Sequence, residues 1–144
     1  RRSEKSIQEL WEEVSEGTCD NQQCLHLGGP VSGPLIAVHT NSALAELEIV
    51  PGLYFSAHRD HIAQLITEPD QRFRLFVGHS GWGGGQLENE LTVGSWLTAP
   101  ATVDYVFWDE TDLWKTVSKQ IGESLLLSTL HIEPTQIPPD PSVN

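Results

Sequence analysis

The chain has 144 residues, enough for one domain with a real hydrophobic core. Eight basic residues against 20 acidic ones leave a formal net charge of -12. Such a surface repels phosphates and disfavours direct nucleic-acid binding unless a local patch gathers arginines such as Arg72 and Arg74; no apolar run approaches a membrane span of about 18 residues, and no signal peptide is expected.

In chain order, SEKSIQELWEEV reads as a first helix with no strand before it. Ser6 and Glu9 form a capping box, and Ile7, Leu10, Trp11 and Val14 make one apolar stripe that Gly17 ends. Cys19 and Cys24 follow in a polar loop. With only His26 nearby, they lack the four ligands of a structural zinc site and read as two reduced thiols, with a redox pair as the weaker reading. CLHLGGPV is a short strand running into a Gly28-Gly29-Pro30 turn, and Leu35 to Thr40 is a mostly buried strand. Two strands, ELEIV and LYFS, are joined at Pro51-Gly52, where proline presets one turn angle and glycine accepts the other. A helix fits Arg59 to Thr67, with Ile62, Leu65 and Ile66 inward and Pro69 beyond its end. RFRLFVGHS is a strand with Phe73, Leu75 and Val77 on the buried face.

A helix is expected from about Gly85 to Val93, then strands at Trp96–Ala99 and Val103–Trp108. TDLWKTVSKQIG is the last helix, with Thr111 as its cap and Leu113, Trp114, Val117 and Ile121 as its inner stripe. Residues 133–144 carry four prolines and read as a disordered tail, leaving a single domain over residues 1–132. Strands and helices are interspersed without a βαβ rhythm, so the class is α+β with a mixed or antiparallel sheet and three or four helices packed on it.

The stretch from Gly78 to Trp96, GHSGWGGGQLENELTVGSW, stands apart from this ordinary pattern. Strand, glycine loop and helix start are the geometry that receives anions on backbone N–H groups. The phosphate-loop form needs a lysine and a hydroxyl where Gln86 and Leu87 stand, and the dinucleotide form is blocked by Trp82. The bland reading is a sharp turn made by glycines, with Trp82 plugging the core. Ser80 nearly satisfies the nucleophile-elbow spacing, but Trp82 stands where the last glycine belongs. Glu90 falls near the side of Leu87 and Leu91, where it would pair with Arg74 or line a small-ligand pocket with Gln86 and Trp82. The candidate contact residues are thus Gly81, Trp82, Gly85, Gln86 and Glu90, joined by Gly28, Gly29 and His39. His58 and His61 lie one helix turn apart but lack a third ligand, so no metal site is expected. His26 and His39, on strands expected to be neighbours, and His79 at the loop have satisfied core histidines as their default reading.

Gly78-His-Ser-Gly-Trp82-Gly-Gly-Gly85-Gln86-Leu87-Glu88-x-Glu90-Leu91, followed by Gly94-x-Trp96-Leu97, resembles the signature of the YqgE/AlgH family. So do Gly28-Gly29-Pro30-Val31 with Leu35 to His39, and Trp114 and Gly122 in the last helix. The resemblance covers roughly residues 3 to 128. It implies a bacterial cytoplasmic protein whose sheet bends into a barrel-like arrangement, in a family commonly labelled as transcriptional regulators. It carries over no catalytic residue and no cofactor. Two departures stand out. Gly84 stands where the family often has a proline or another small residue, which loosens the loop, and the roughly two further strands that usually precede the first helix are expected to be missing. Missing strands would leave exposed sheet edges through which the chain self-associates.

The sequence therefore leans away from an enzyme. Its first reading is a regulatory or interaction protein acting indirectly on transcription, through an unidentified protein or small-molecule partner, with no membrane and no direct nucleic-acid contact. The alternative is a small-molecule binder or enzyme using the Gly78–Glu90 loop. A third is a purely structural module.

Overall fold

A computed structural model describes residues 2–14, 19–68, 72–108 and 110–130. A strand does precede the first helix: β1 (Arg2–Ser6) pairs antiparallel with β2 (Cys24–Leu27) and hands over directly to α1 (Ile7–Val14). Its charged sequence hides it from hydropathy, but charges are what a sheet edge tolerates. The capping box forms at the junction: the Glu9 N–H donates to Ser6 Oγ at 3.2 Å, and the Ser6 N–H donates to the Glu9 carboxylate at 2.7 Å. Gly17, Pro69 and the 133–144 tail lie outside the described residues.

β3 (Ile36–His39), β4 (Leu47–Val50) and β5 (Leu53–Ser56) follow, the last two joined at Pro51-Gly52, where Gly52 takes φ 81°. α2 (Arg59–Thr67) then leads to β6 (Phe73–Val77). The six strands form one sheet in the order β1-β2-β6-β3-β5-β4, with β2–β6 parallel and the other pairs antiparallel. The mixed α+β class holds. The sheet stays open rather than barrel-like, with β1 and β4 as its edges, and Leu47 and Ile49 are exposed on β4.

Ile7 of α1 and Ile62, Leu65 and Ile66 of α2 cover one sheet face, meeting Leu25, Ala37, Phe73 and Leu75 in the core, with Leu10 and Trp11 packed against it. Alternation along β6 is as expected at Phe73 and Leu75, while Val77 lies at the partly exposed end of the strand. β6 lies between β2 and β3, so His26 and His39 are not on adjacent strands.

Beyond β6 come α3 (Gln86–Thr92), α4 (Val103–Phe107) and α5 (Glu110–Leu130), making five α-helices among the described residues. Two expected strands are absent. Residues 95–102 have no ladder partner, and Val103–Trp108 is mostly helical because the Thr102 hydroxyl caps it, accepting the Tyr105 N–H at 3.2 Å. The cap outweighs the β-propensity of Val103, Tyr105 and Val106. α5 starts one residue before Thr111, which is therefore not its cap, and runs through Gly122. Leu113, Val117 and Ile121 are half-buried as expected, but Trp114 is 74% exposed.

Candidate functional site

Strand β6 ends at Val77, and Gly78 turns the chain with φ 74°. The next residue, His79, exchanges two backbone hydrogen bonds with Val31, at 2.9 and 3.1 Å, and the Gly28 N–H donates to the Val77 carbonyl at 2.9 Å. The two glycine motifs, about 50 residues apart, thus lie backbone against backbone. A Cβ on Gly28 would sit 2.3 Å from the Gly78 oxygen, and one on Gly29 would sit 2.3 Å from the His79 carbonyl carbon. Gly28 and Gly29 are small because another chain segment occupies the space of a side chain.

The loop then leaves the sheet. Gly81 and Gly85 have open space where a Cβ would stand, and Gly85 adopts φ 77° just before α3. At the other end, Gly94 adopts φ 76°, its N–H donates to the Leu91 carbonyl at 3.1 Å, and the Ser95 N–H donates to the Glu90 carbonyl at 2.9 Å. Left-handed glycines thus bracket a short helix.

That bracket folds Trp82 and Trp96 towards each other, ring centroids 5.9 Å apart at 68°. Both indole N–H groups donate to one oxygen of Glu90, Trp82 at 3.0 Å and Trp96 at 2.8 Å, and Gln86 Nε2 donates to the other at 2.9 Å. These bonds, from Trp96, Gln86 and Trp82 in order of effect, hold the Glu90 carboxyl below its ordinary value. The Arg74 guanidinium donates to the Trp108 carbonyl. Trp82 does not plug the core: it is 40% exposed and Trp96 48%. The result is an aromatic ledge fixed by a carboxylate.

Two of the loop's own donors are turned inward. The Gly83 N–H donates to Gln86 Oε1 at 3.1 Å, and the Gln86 N–H donates to the Gly83 carbonyl at 3.0 Å. With Glu90 beside them, the centre of the loop carries a negative charge.

A family model described as AlgH-like matches residues 1–126. The chain belongs to the AlgH-like family. A UPF0301 protein of Myxococcus xanthus is 36% identical over 70% of the chain and 58% of its own length, and UPF0301 protein CT0663 of Chlorobaculum tepidum is 34% identical over 77% and 64%. The chain thus spans less than two thirds of the length of these relatives. The solution structure of the AlgH protein from Pseudomonas aeruginosa superposes with a TM-score of 0.66 at 24% identity, over 82% of this chain and 66% of that one, which establishes a shared fold.

Of the residues singled out in this AlgH-like sequence, Trp82, Gln86 and Glu90 converge, framed by Gly81 and Gly85, while Gly28 and Gly29 support the turn from behind. His39 belongs to the core. It is fully buried, and its Nε2 lies 3.0 Å from Ser56 Oγ. The Ser56 hydroxyl spends its one proton on the Leu44 carbonyl, so His39 must donate from Nε2. His79 packs its ring against Gly33, and His58 lies beside His61 with ring centroids 5.1 Å apart. Among the described residues no group of three His, Cys, Asp or Glu side chains is placed to hold a metal. Nor is any helix long and apolar enough to cross a membrane. Cys19 is buried and Cys24 exposed, and neither is in a disulfide. Trp96 was missed as a site residue, although it stands just outside the bracketing Gly94 as Trp82 stands just outside the bracketing Gly85.

Proposed function

We propose that this protein is a non-catalytic cytoplasmic regulatory protein that works by contacting another protein and affects transcription only indirectly. The observation that carries this reading is the Trp82–Glu90–Trp96 ledge, two half-exposed indoles immobilised by one carboxylate. Tryptophans held in place before binding are the anchors from which protein interfaces draw most of their energy. Leu91, Val93 and Leu97 extend the exposed apolar surface around them. No lysine or arginine occurs between Arg74 and Lys115, which sets this region against phosphates and towards a partner without strong negative charge.

The test is quantitative affinity capture from a bacterial lysate, comparing the wild type with Trp96→Ala, alongside titration of duplex DNA at physiological salt. A defined protein set retained by the wild type and lost by the variant, with no duplex binding, is the expected result. Light scattering on the same samples shows whether the retained partner is instead a second copy paired along β4. Duplex binding with a steep salt slope would replace the proposal with direct DNA regulation.

A further inference from the structure

The opposite face of the sheet carries a different chemistry. Residues two apart on a strand share a face, and β2–β6 pairing places His26 beside Phe76 while β1–β2 pairing places Arg2 beside His26. Cys24, His26, Arg72, Arg74 and Phe76 therefore fall on one face, joined by Arg2 at the edge. They do not form a flat patch. Arg2, Cys24, His26, Arg72, Arg74 and Phe107 line a cavity of about 510 Å³, the size of a small-molecule site. Three of the chain's eight basic residues are gathered there, in a molecule of net charge -12.

We propose that this cavity binds a compact phosphate ester, a ligand class separate from the protein partner assigned to the ledge, with which it shares no residue. Guanidinium forks match phosphate oxygens in pairs. Arg72 is already ordered over the Phe107 ring, 5.0 Å from its centroid, and Arg74 is anchored on the Trp108 carbonyl. Asp104 lies 3.5 Å from Arg72, but this pair is largely solvent-exposed, and such a pair opens with little loss. The acidic exterior repels a polyanion such as duplex DNA while screening lets a small anion approach, since charges beyond about 8 Å are damped at physiological salt.

Cys24 supplies the readout, because it is the exposed one of the chain's two cysteines and stands in the cavity. The experiment follows alkylation of the full chain by iodoacetamide, a neutral reagent, in inorganic phosphate, AMP or adenosine, with sodium chloride at matched ionic strength as the reference. Phosphate and AMP are expected to slow the reaction, approaching about tenfold when the ligand stands at about ten times its dissociation constant. Adenosine should leave the rate unchanged. Arg2→Gln and Arg74→Gln, each checked for native circular dichroism, should weaken the protection. Protection no better than in chloride overturns the proposal without touching the ledge, and so does protection that survives both substitutions. A variant that fails to fold leaves the wild-type comparison to decide.

Discussion

The chain divides at Gly78 into two regions held together in different ways. Among the described residues, every buried apolar side chain, from Ile7 to Leu75, lies before that glycine, and none beyond it is buried. The first region is organised by burial between a sheet face and two helices. The second is organised by caps and polar contacts: glycine brackets around α3, the Thr102 cap on α4, the Tyr105 hydroxyl donating to Gln120 at 2.8 Å, and three donors on Glu90. Full burial of a leucine is worth about 1.5–3 kcal/mol, and a typical hydrogen bond about 1. The first region therefore sets global stability, while the second is free to open locally without unfolding the sheet. An interaction surface is best placed on the second kind of structure.

The largest expected effect lies in the first region. Leu75 is fully buried at the centre of β6, so Leu75→Ala should cost about 2–5 kcal/mol, read as a lowered midpoint in urea unfolding. Leu91→Ala, at a leucine 41% exposed on α3, should leave that midpoint almost unmoved. Equal losses from the two leucines would erase the contrast.

The glycines sharpen it next. At Gly29 an added methyl meets the His79 backbone, and Gly29→Ala should destabilise by about 1–3 kcal/mol. At Gly84 nothing stands within 4 Å and the backbone is not left-handed, so Gly84→Ala should be neutral or stabilise by up to about 1 kcal/mol, through the entropy of the unfolded chain. Differential scanning calorimetry on the pair reads both signs in one experiment. A destabilising Gly84→Ala would mean that the loop packs against something.

The same division decides what was legible in the sequence. Where burial selects the residues, periodicity reports it: α2 spans Arg59–Thr67 as its pattern indicates, the Pro51-Gly52 hairpin forms, and Phe73 and Leu75 alternate inward. Where capping selects them, hydropathy misleads. Val103, Tyr105 and Val106 look like a strand until Thr102 captures an amide, and Trp114 looks buried because it is apolar. β1 was hidden for the converse reason, since only its pairing with β2 makes a strand of charged residues. Within the site, Gln86 and Glu90 were legible together because they lie one helical turn apart on α3, whereas Trp82 reaches Glu90 from the loop before the left-handed Gly85. The approach of Gly28-Gly29 to Gly78-His79 was not, because a tertiary backbone contact leaves no periodic trace. The arginine cavity was half legible: Arg72 and Arg74 share a face by alternation, but the arrival of Arg2 depends on the register of a third strand.

The smallest effect separates the two regions by pH. Burial holds the His39 imidazole below its ordinary value of about 6.5. A depressed histidine contributes stability that is complete above the unfolded value and is lost as pH falls through the folded one, because the unfolded chain takes up the proton first. Global stability should therefore decline with acidification from about pH 6.5, and His39→Gln should flatten that slope. Glu90 is depressed too, from 4.5, by its three donors. The order it imposes is complete above 4.5 and lost as pH falls through its lowered value, so the ledge should loosen at more acid pH than the point where the sheet begins to weaken. Tryptophan near-ultraviolet dichroism, followed from pH 7 downward, should show a step below pH 4.5 that is absent in Glu90→Gln. If the two signals moved together throughout, the sheet and the ledge would be one cooperative unit, and Gly78 would be only a turn within it.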